Sequence, residues 1–271
     1  MQTEQDYLSQ YNINDYERPS LTADIAAFML RTQESENYKR NSEKKLSLLL
    51  IKRGQHPFLG CWALPGGFLR PDETVEACAL REIAEEAGVM PVSLLPVGVF
   101  SQPGRDPRGW IISNAFASVI SEESVELTGG DDAADAQWFD VSFERGTDGD
   151  YHLTLNSEAA VISAVLTEEG RRFGRTSFVI KDSGGLAFDH AAIIASALTV
   201  LREGVGSYET IFDFLPEKFT INALQKVQET ILNISILPAN FRRKISEYVE
   251  ETEEYTQGAG HRPAKLYRRK R

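Results

Sequence analysis

Short apolar runs separated by polar chain set the pattern of the first two hundred residues. Residues 21–31 (LTADIAAFMLR) and 45–53 (KLSLLLIKR) are apolar and brief, which predicts two buried strands. The segment 32–44 between them (TQESENYKRNSEK) is polar and reads as an exposed loop. A turn punctuated by Gly and Pro, GCWALPGG, follows. Val75, Ala79, Ile83 and Ala87 then recur every four residues, so 74–87 is predicted to be helical. Residues 110–120 (WIISNAFASVI) and 136–141 (AQWFDV) read as further strands, and 151–157 with 176–181 as an added hairpin. Asp189 stands where an N-cap would open a helix running to about Arg202, apolar around most of its surface. Such a helix must be buried by something, and a partner subunit in a homodimer is the expectation. Gly204, Gly206 and Ser207 read as a hinge.

Beyond the hinge the pattern changes. Residues 208–215 read as a short helix. Thr220 is an N-cap for a helix over 221–232, with Ile221, Leu224, Val227, Ile231 and Leu232 on one face. The turn NISILPAN leads to a third helix over 240–250, carrying Arg242, Arg243 and Lys244. The basic tail HRPAKLYRRKR holds a short strand near 264–268. Two domains are therefore expected, 1–204 and 205–271, with no internal repeat.

Composition narrows the class. A chain of 271 residues with 42% hydrophobic positions can bury a substantial core. The first twenty residues are polar, with no apolar leader, and no apolar run approaches the ~20 residues that span a bilayer. Cys61 and Cys78 are the two cysteines, expected to be reduced. Together these point to a cytoplasmic protein with no membrane partner. The net charge of −11 argues against nucleic acid as a partner of the whole surface. The charge is uneven, however. Residues 205–271 hold 11 Lys and Arg against 9 Asp and Glu, a net of +2, which leaves −13 on the remainder.

The chemistry concentrates between Gly67 and Val89. Gly67 is followed after five residues by Glu73, and that after seven by the run REIAEEAGV, Arg81 to Val89. On a helix, Glu85 and Glu86 lie three and four residues after Glu82, so the three carboxylates share a face. Like charges at those spacings repel, a cost that a hard cation removes. Gly66 and Gly67 allow the backbone to approach a phosphate closely, and Gly88 suits a helix C-cap.

This pattern resembles the Nudix box at every specified position. The resemblance implies an α/β class fold, an α/β/α sandwich built on a mixed sheet. It also implies Mg²⁺ (or Mn²⁺) held by Glu82, Glu85 and Glu86, and hydrolysis of a nucleoside diphosphate linked to another moiety. In the family, the counterparts of Glu73 and Arg81 form a salt bridge that braces the turn before the helix. A general base lies outside the box, with Glu122, Glu123, Asp131 and above all Asp132 as candidates. The loop SQPGRDPRGW at 101–110 is similar to loops of ADP-ribose pyrophosphatases. Its Arg105 and Arg108 either clamp phosphate or brace the loop. Arg53, Gly66 and Gly67 complete the substrate-binding candidates, and Phe100 and Trp110 either stack a base or fill the core.

The tail is similar to the C-terminal winged helix-turn-helix of Nudix-related transcriptional regulators of NAD metabolism. That similarity assigns Arg242, Arg243 and Lys244 to a recognition helix, and Arg262 and Lys265 to a wing on DNA. The alternative is a small helical domain that packs on the core or forms a dimer. Two functions follow: an ADP-ribose-type pyrophosphatase, or a regulator sensing ADP-ribose in the same pocket.

Overall fold

The computed structural model describes residues 3–32, 44–122, 136–172, 175–256 and 263–270. A ten-stranded sheet forms the centre, its main path running β10-β9-β8-β7-β2-β1-β6-β5 with β7 at Ala136–Arg145, while two short strands pair with β2 and β1 off that path. Its first strands, β1 (Ser20–Thr32) and β2 (Lys44–Lys52), run antiparallel, with Phe28 opposite Leu48. β1 pairs in parallel with β6 (Ile111–Val119) and so lies deep in the sheet. That position explains its unbroken apolar run, since both faces are covered. Ala26, Phe28 and Leu30 enter one core; Ala23, Ile25, Ala27 and Met29 enter the other.

Each core is closed by a helix. The helix α2 (Val75–Ala87) begins at the Thr74 N-cap, whose hydroxyl accepts from the Ala77 N–H at 3.2 Å, and ends at Gly88 with φ 67°. It buries Cys78, Ala79 and Ile83 against the β1 face that carries Ala23 and Ile25. On the opposite face lies α3 (His190–Gly206), buried along most of its length. The burial assigned from sequence to a partner subunit is supplied by the chain itself, because β1, β5 (Ser93–Phe100), β6 and β10 (Arg175–Asp182) pack around this helix.

Three sequence readings change. Residues 151–157 and 176–181 do not pair with each other, because β9 (Val161–Arg172) runs between β8 (Tyr151–Asn156) and β10. Gly204 and Gly206 lie in the last turns of α3, so no hinge opens there and the boundary drawn at 204 falls within a helix. A Cβ on Gly204 would meet the Thr210 side chain at 2.7 Å, so that glycine serves close packing. Residues 208–215 contain only a 3-10 turn, Ile211–Phe214.

The C-terminal module is a winged helix. Its helices are α4 (Ile221–Leu232), capped by Thr220, and α5 (Pro238–Ile245), opened by Pro238. The third helix stops at Ile245 rather than 250, and the acidic run after it forms β11 (Val249–Tyr255), antiparallel to β12 (Lys265–Arg269). The module shares a continuous core with α3 through Leu224, Val227, Ile231 and Phe241. Arg202 of α3 donates to the Ile231 carbonyl at 3.3 Å and to the Phe143 carbonyl at 3.0 Å. Gln228 donates to the Val205 carbonyl at 3.3 Å. None of the described helices is long and apolar enough to cross a membrane.

Candidate functional site

The short strands β3 (Trp62–Ala63) and β4 (Gly66–Phe68) carry the chain to the head of α2. β4 pairs with β1 so that Gly66 lies opposite Asp24 and Gly67 opposite Ala23. A side chain on Gly67 would strike the Glu82 carboxylate, and one on Gly66 would strike the Ala23 carbonyl and Asp24. The glycines are therefore required by close approach. The Gly66 N–H donates to Glu86 Oε2 at 2.9 Å. Burial, with the Glu82 and Asp24 charges adding to it, pushes the Glu86 carboxyl up to about 7 against the pull of that N–H and of Arg53.

Arg81 organises the rest of the box. Its Nε and Nη2 grip Glu73 at 3.0 and 2.6 Å, while Nη1 reaches Glu82 at 2.5 Å and Glu85 at 3.2 Å. The Arg81 hydrogen bonds hold Glu73 down to about 2. Burial and the neighbouring Glu73 charge push the Cys78 thiol up to about 11, so it is a packing group. Glu85 leans outward, 51% exposed, with Arg70 3.6 Å away. The three carboxylates share a helix face but do not converge: among the described residues no three His, Cys, Asp or Glu side chains gather as a metal cluster.

Beside the box lies a cavity of about 150 Å³. Arg53 and Arg108 enter it, each stacked on the Phe188 ring, at 4.8 and 5.3 Å. Arg108 also covers Phe68 at 5.0 Å and pairs with Asp106 at 2.7 Å. Arg53 donates through Nε to the Pro57 carbonyl at 2.7 Å and has no ion pair with a described residue. Phe188 holds φ 50°, an uncommon conformation for a bulky residue and a common mark of a functional constraint. Arg105 takes the bracing role of its two sequence readings. It is buried, and its fork meets the Asp189 carboxylate at 2.8 and 2.6 Å. Asp189 accordingly makes no side-chain cap on α3.

The other sequence candidates scatter. Glu122 ties the far end of β1 to β2, accepting from the Thr32 N–H at 2.7 Å and Lys44 at 3.1 Å. Thr32 is eight residues along β1 from Asp24, about 26 Å at strand spacing, so Glu122 is remote from the box. Glu123, Asp131 and Asp132 lie outside the described residues. Trp110 is 55% exposed just before β6, and Phe100 packs against the larger core. Sequence reasoning misses Asp24, Ser113, Asp106 and His190, and gives Asp189 a helix cap in place of its pairing with Arg105. The signal for Asp24 was available, as the single acid in the apolar run of β1.

On the winged helix, Arg242, Arg243 and Lys244 are exposed on α5 and form no ion pair with a described residue. The wing differs. Lys265 pairs with Glu251 at 2.8 Å, Arg268 with Glu250, and Lys218 reaches Glu254 from outside the hairpin. Arg262 lies outside the described residues. Positive charge without an ion pair among the described residues thus sits on α5, while β11 pairs with Lys265 and Arg268 of β12.

Taken together, fold and site define a protein class: an α/β/α sandwich with a glycine-apposed carboxylate helix, joined to a winged helix module. A NUDIX domain profile matches residues 37–152, and a profile of the NrtR DNA-binding winged helix domain matches residues 211–269. The solved structure of a MutT/nudix family protein from Enterococcus faecalis is 32% identical, with 99% of this chain and 94% of that one covered and a TM-score of 0.73. Shewanella oneidensis NrtR, solved with a 27mer DNA, is 25% identical over 92% of this chain and 93% of that one, with a TM-score of 0.62. The ADPR responsive transcriptional repressor NtrR of Acinetobacter baylyi is 28% identical over 270 residues, 98% of this chain and 88% of the relative. The chain belongs to the MutT/Nudix family, with a Nudix domain followed by an NrtR-type winged helix domain.

Proposed function

We propose that the protein is a DNA-binding regulator whose Nudix cavity takes ADP-ribose, or a closely related nucleoside diphosphate derivative, as effector. The carrying observation is the pairing of the two modules along a chain that aligns over 98% of its length with a repressor named for its response to ADPR. Arg53 and Arg108 beside Gly66 and Gly67 suit a diphosphate, and Phe188 and Phe68 present aromatic surface to it. Arg242, Arg243 and Lys244 suit DNA phosphates. In a homodimer, two such helices would address half-sites about one helical turn apart. The test is an anisotropy titration of the DNA upstream of the protein's own gene with the full chain. ADP-ribose should release the complex. No complex at low salt, or one indifferent to ADP-ribose, overturns the reading.

One observation favours a second activity at the same site, hydrolysis of the bound diphosphate to AMP and ribose 5-phosphate. Glu82 and Glu86 stand one turn apart against the backbone of two glycines that leave no room for a Cβ. Carboxylate oxygens of this kind fit Mg²⁺, which commonly uses one or two of them together with substrate phosphates. Glu82 and Glu86 would hold the ion, and Glu85 would join by turning from Arg70. A Mg²⁺ ion held there would supply positive charge against the diphosphate. Arg53 and Arg108 would orient the phosphates, and Arg81 keeps Glu82 in place. Release of AMP from ADP-ribose in Mg²⁺ measures this activity directly.

A further inference from the structure

We propose that His190 and Asp24 together read a sugar hydroxyl of the ligand in the Nudix cavity, His190 donating to it and Asp24 accepting from it. This rests on the effector reading above and assigns two residues that neither the box nor the winged helix uses. Both line the cavity, and they are 3% and 7% exposed. The Leu64 N–H donates to His190 Nδ1 at 2.8 Å. The ring proton of a neutral imidazole is therefore on Nε2. That atom is a donor on a residue that lines the cavity, and it offers no lone pair to a cation.

His190 Nε2 stands 3.8 Å from Asp24 Oδ1, too far for a hydrogen bond between them. An oxygen about 2.8 Å from each would bridge the gap. It must accept from the imidazole and donate to the carboxylate, and a hydroxyl does both. A phosphate oxygen accepts only, and it would face a carboxylate. The other Asp24 oxygen is already committed, since Ser113 donates to Oδ2 and Arg105 lies 3.8 Å from it. Oδ1 is thus the free acceptor. It is also the atom that a side chain on Gly66 would strike, which puts the hydroxyl subsite beside the proposed diphosphate. Two buried polar groups left short of a partner discriminate strongly against a ligand that lacks the matching group.

The experiment is calorimetric titration of the full chain, in EDTA to prevent turnover, with ADP-ribose, ADP and inorganic pyrophosphate. His190→Asn is the informative variant. Its amide oxygen takes the place of Nδ1 and keeps the Leu64 contact, while the Nε2 donor is lost. Asp24→Asn is the second variant, and it retains an acceptor for Ser113. Each should weaken ADP-ribose binding about tenfold, with pyrophosphate changed less than about twofold. Parallel weakening of ADP places the hydroxyl on the adenosine ribose; unchanged ADP places it on the terminal ribose. Either result supports the proposal. Equal weakening of pyrophosphate, or unchanged ADP-ribose affinity in both variants, overturns it and leaves the effector reading standing. If the parent protein binds no ADP-ribose, the effector reading falls and this assignment falls with it.

Discussion

Arg105 and Asp189 form a two-point ion pair across 84 residues of chain, fastening the loop before β6 to the residue that precedes α3. The Arg105 side chain is 5% exposed and that of Asp189 18%. Removing one partner leaves the other charge buried without its counterion, at a cost of about 3 kcal/mol. Arg105→Ala and Asp189→Asn should therefore each lower the melting temperature substantially, and the double variant should lose less than the sum. Strictly additive losses in a denaturant double-mutant cycle would mean that the pair carries no coupling.

Glu82→Gln and Glu86→Gln test the hydrolytic reading. Each removes a charged oxygen donor while keeping side-chain volume, so the fold should persist. AMP release from ADP-ribose in Mg²⁺ should fall by at least about a hundredfold in both. Glu85→Gln should be milder, since Glu85 is turned toward Arg70 and Arg81. Undiminished turnover in both Glu82→Gln and Glu86→Gln would remove the box helix from the chemistry.

Much of this arrangement was legible in the sequence, and the reasons are local. β1, β2 and α4 announce themselves because burial on both faces, or a capped amphipathic stripe, leaves its own period. The alternation of Ile162, Ala164 and Leu166 in β9 was equally present. It was passed over because the flanking strands were paired with each other. The C-terminal end of α5 was drawn too late, since helix-compatible Glu residues continue into β11, where pairing with β12 overrides propensity. Asp24, Asp189 and His190 are another case. Their meaning lies in distances between β1 and α3, elements far apart in the chain, and no spacing in the sequence encodes them.

Glu229 gives the winged helix a defined acid sensitivity. Burial pushes its pKa up, but hydrogen bonds from Gln225, the Ile236 N–H and Lys226, at 3.0, 3.0 and 2.9 Å, bring it down to about 2. A folded value below the unfolded one stabilises the native state above pH 4.5, and that contribution is lost as pH falls through 4.5 toward 2. With the side chain 13% exposed, the contribution is on the order of 2 kcal/mol. Glu229→Gln should lower stability at pH 7 and flatten the acid limb of the stability curve. A variant curve parallel to the parent between pH 5 and 2.5 would contradict this.

The uneven neutralisation of basic residues in the winged helix makes a sharper prediction about DNA than its composition does. Arg242 and Arg243 are exposed on α5 and have no ion pair with a described residue, whereas Lys265 is held by Glu251 at 2.8 Å. A cation that already has a partner must break that contact to reach a phosphate, so the gain is small. A free cation releases a counterion from DNA when it binds, contributing about 0.9 to the slope of log affinity against log salt. Arg242→Ala/Arg243→Ala should therefore reduce that slope by about two and weaken binding at low salt. Lys265→Ala should change the slope by much less than one. Glu251→Gln frees Lys265 and should raise affinity for the same fragment. Anisotropy titrations at three salt concentrations separate these outcomes. A slope reduced by Lys265→Ala but not by the α5 pair would move the contact from the helix to the wing.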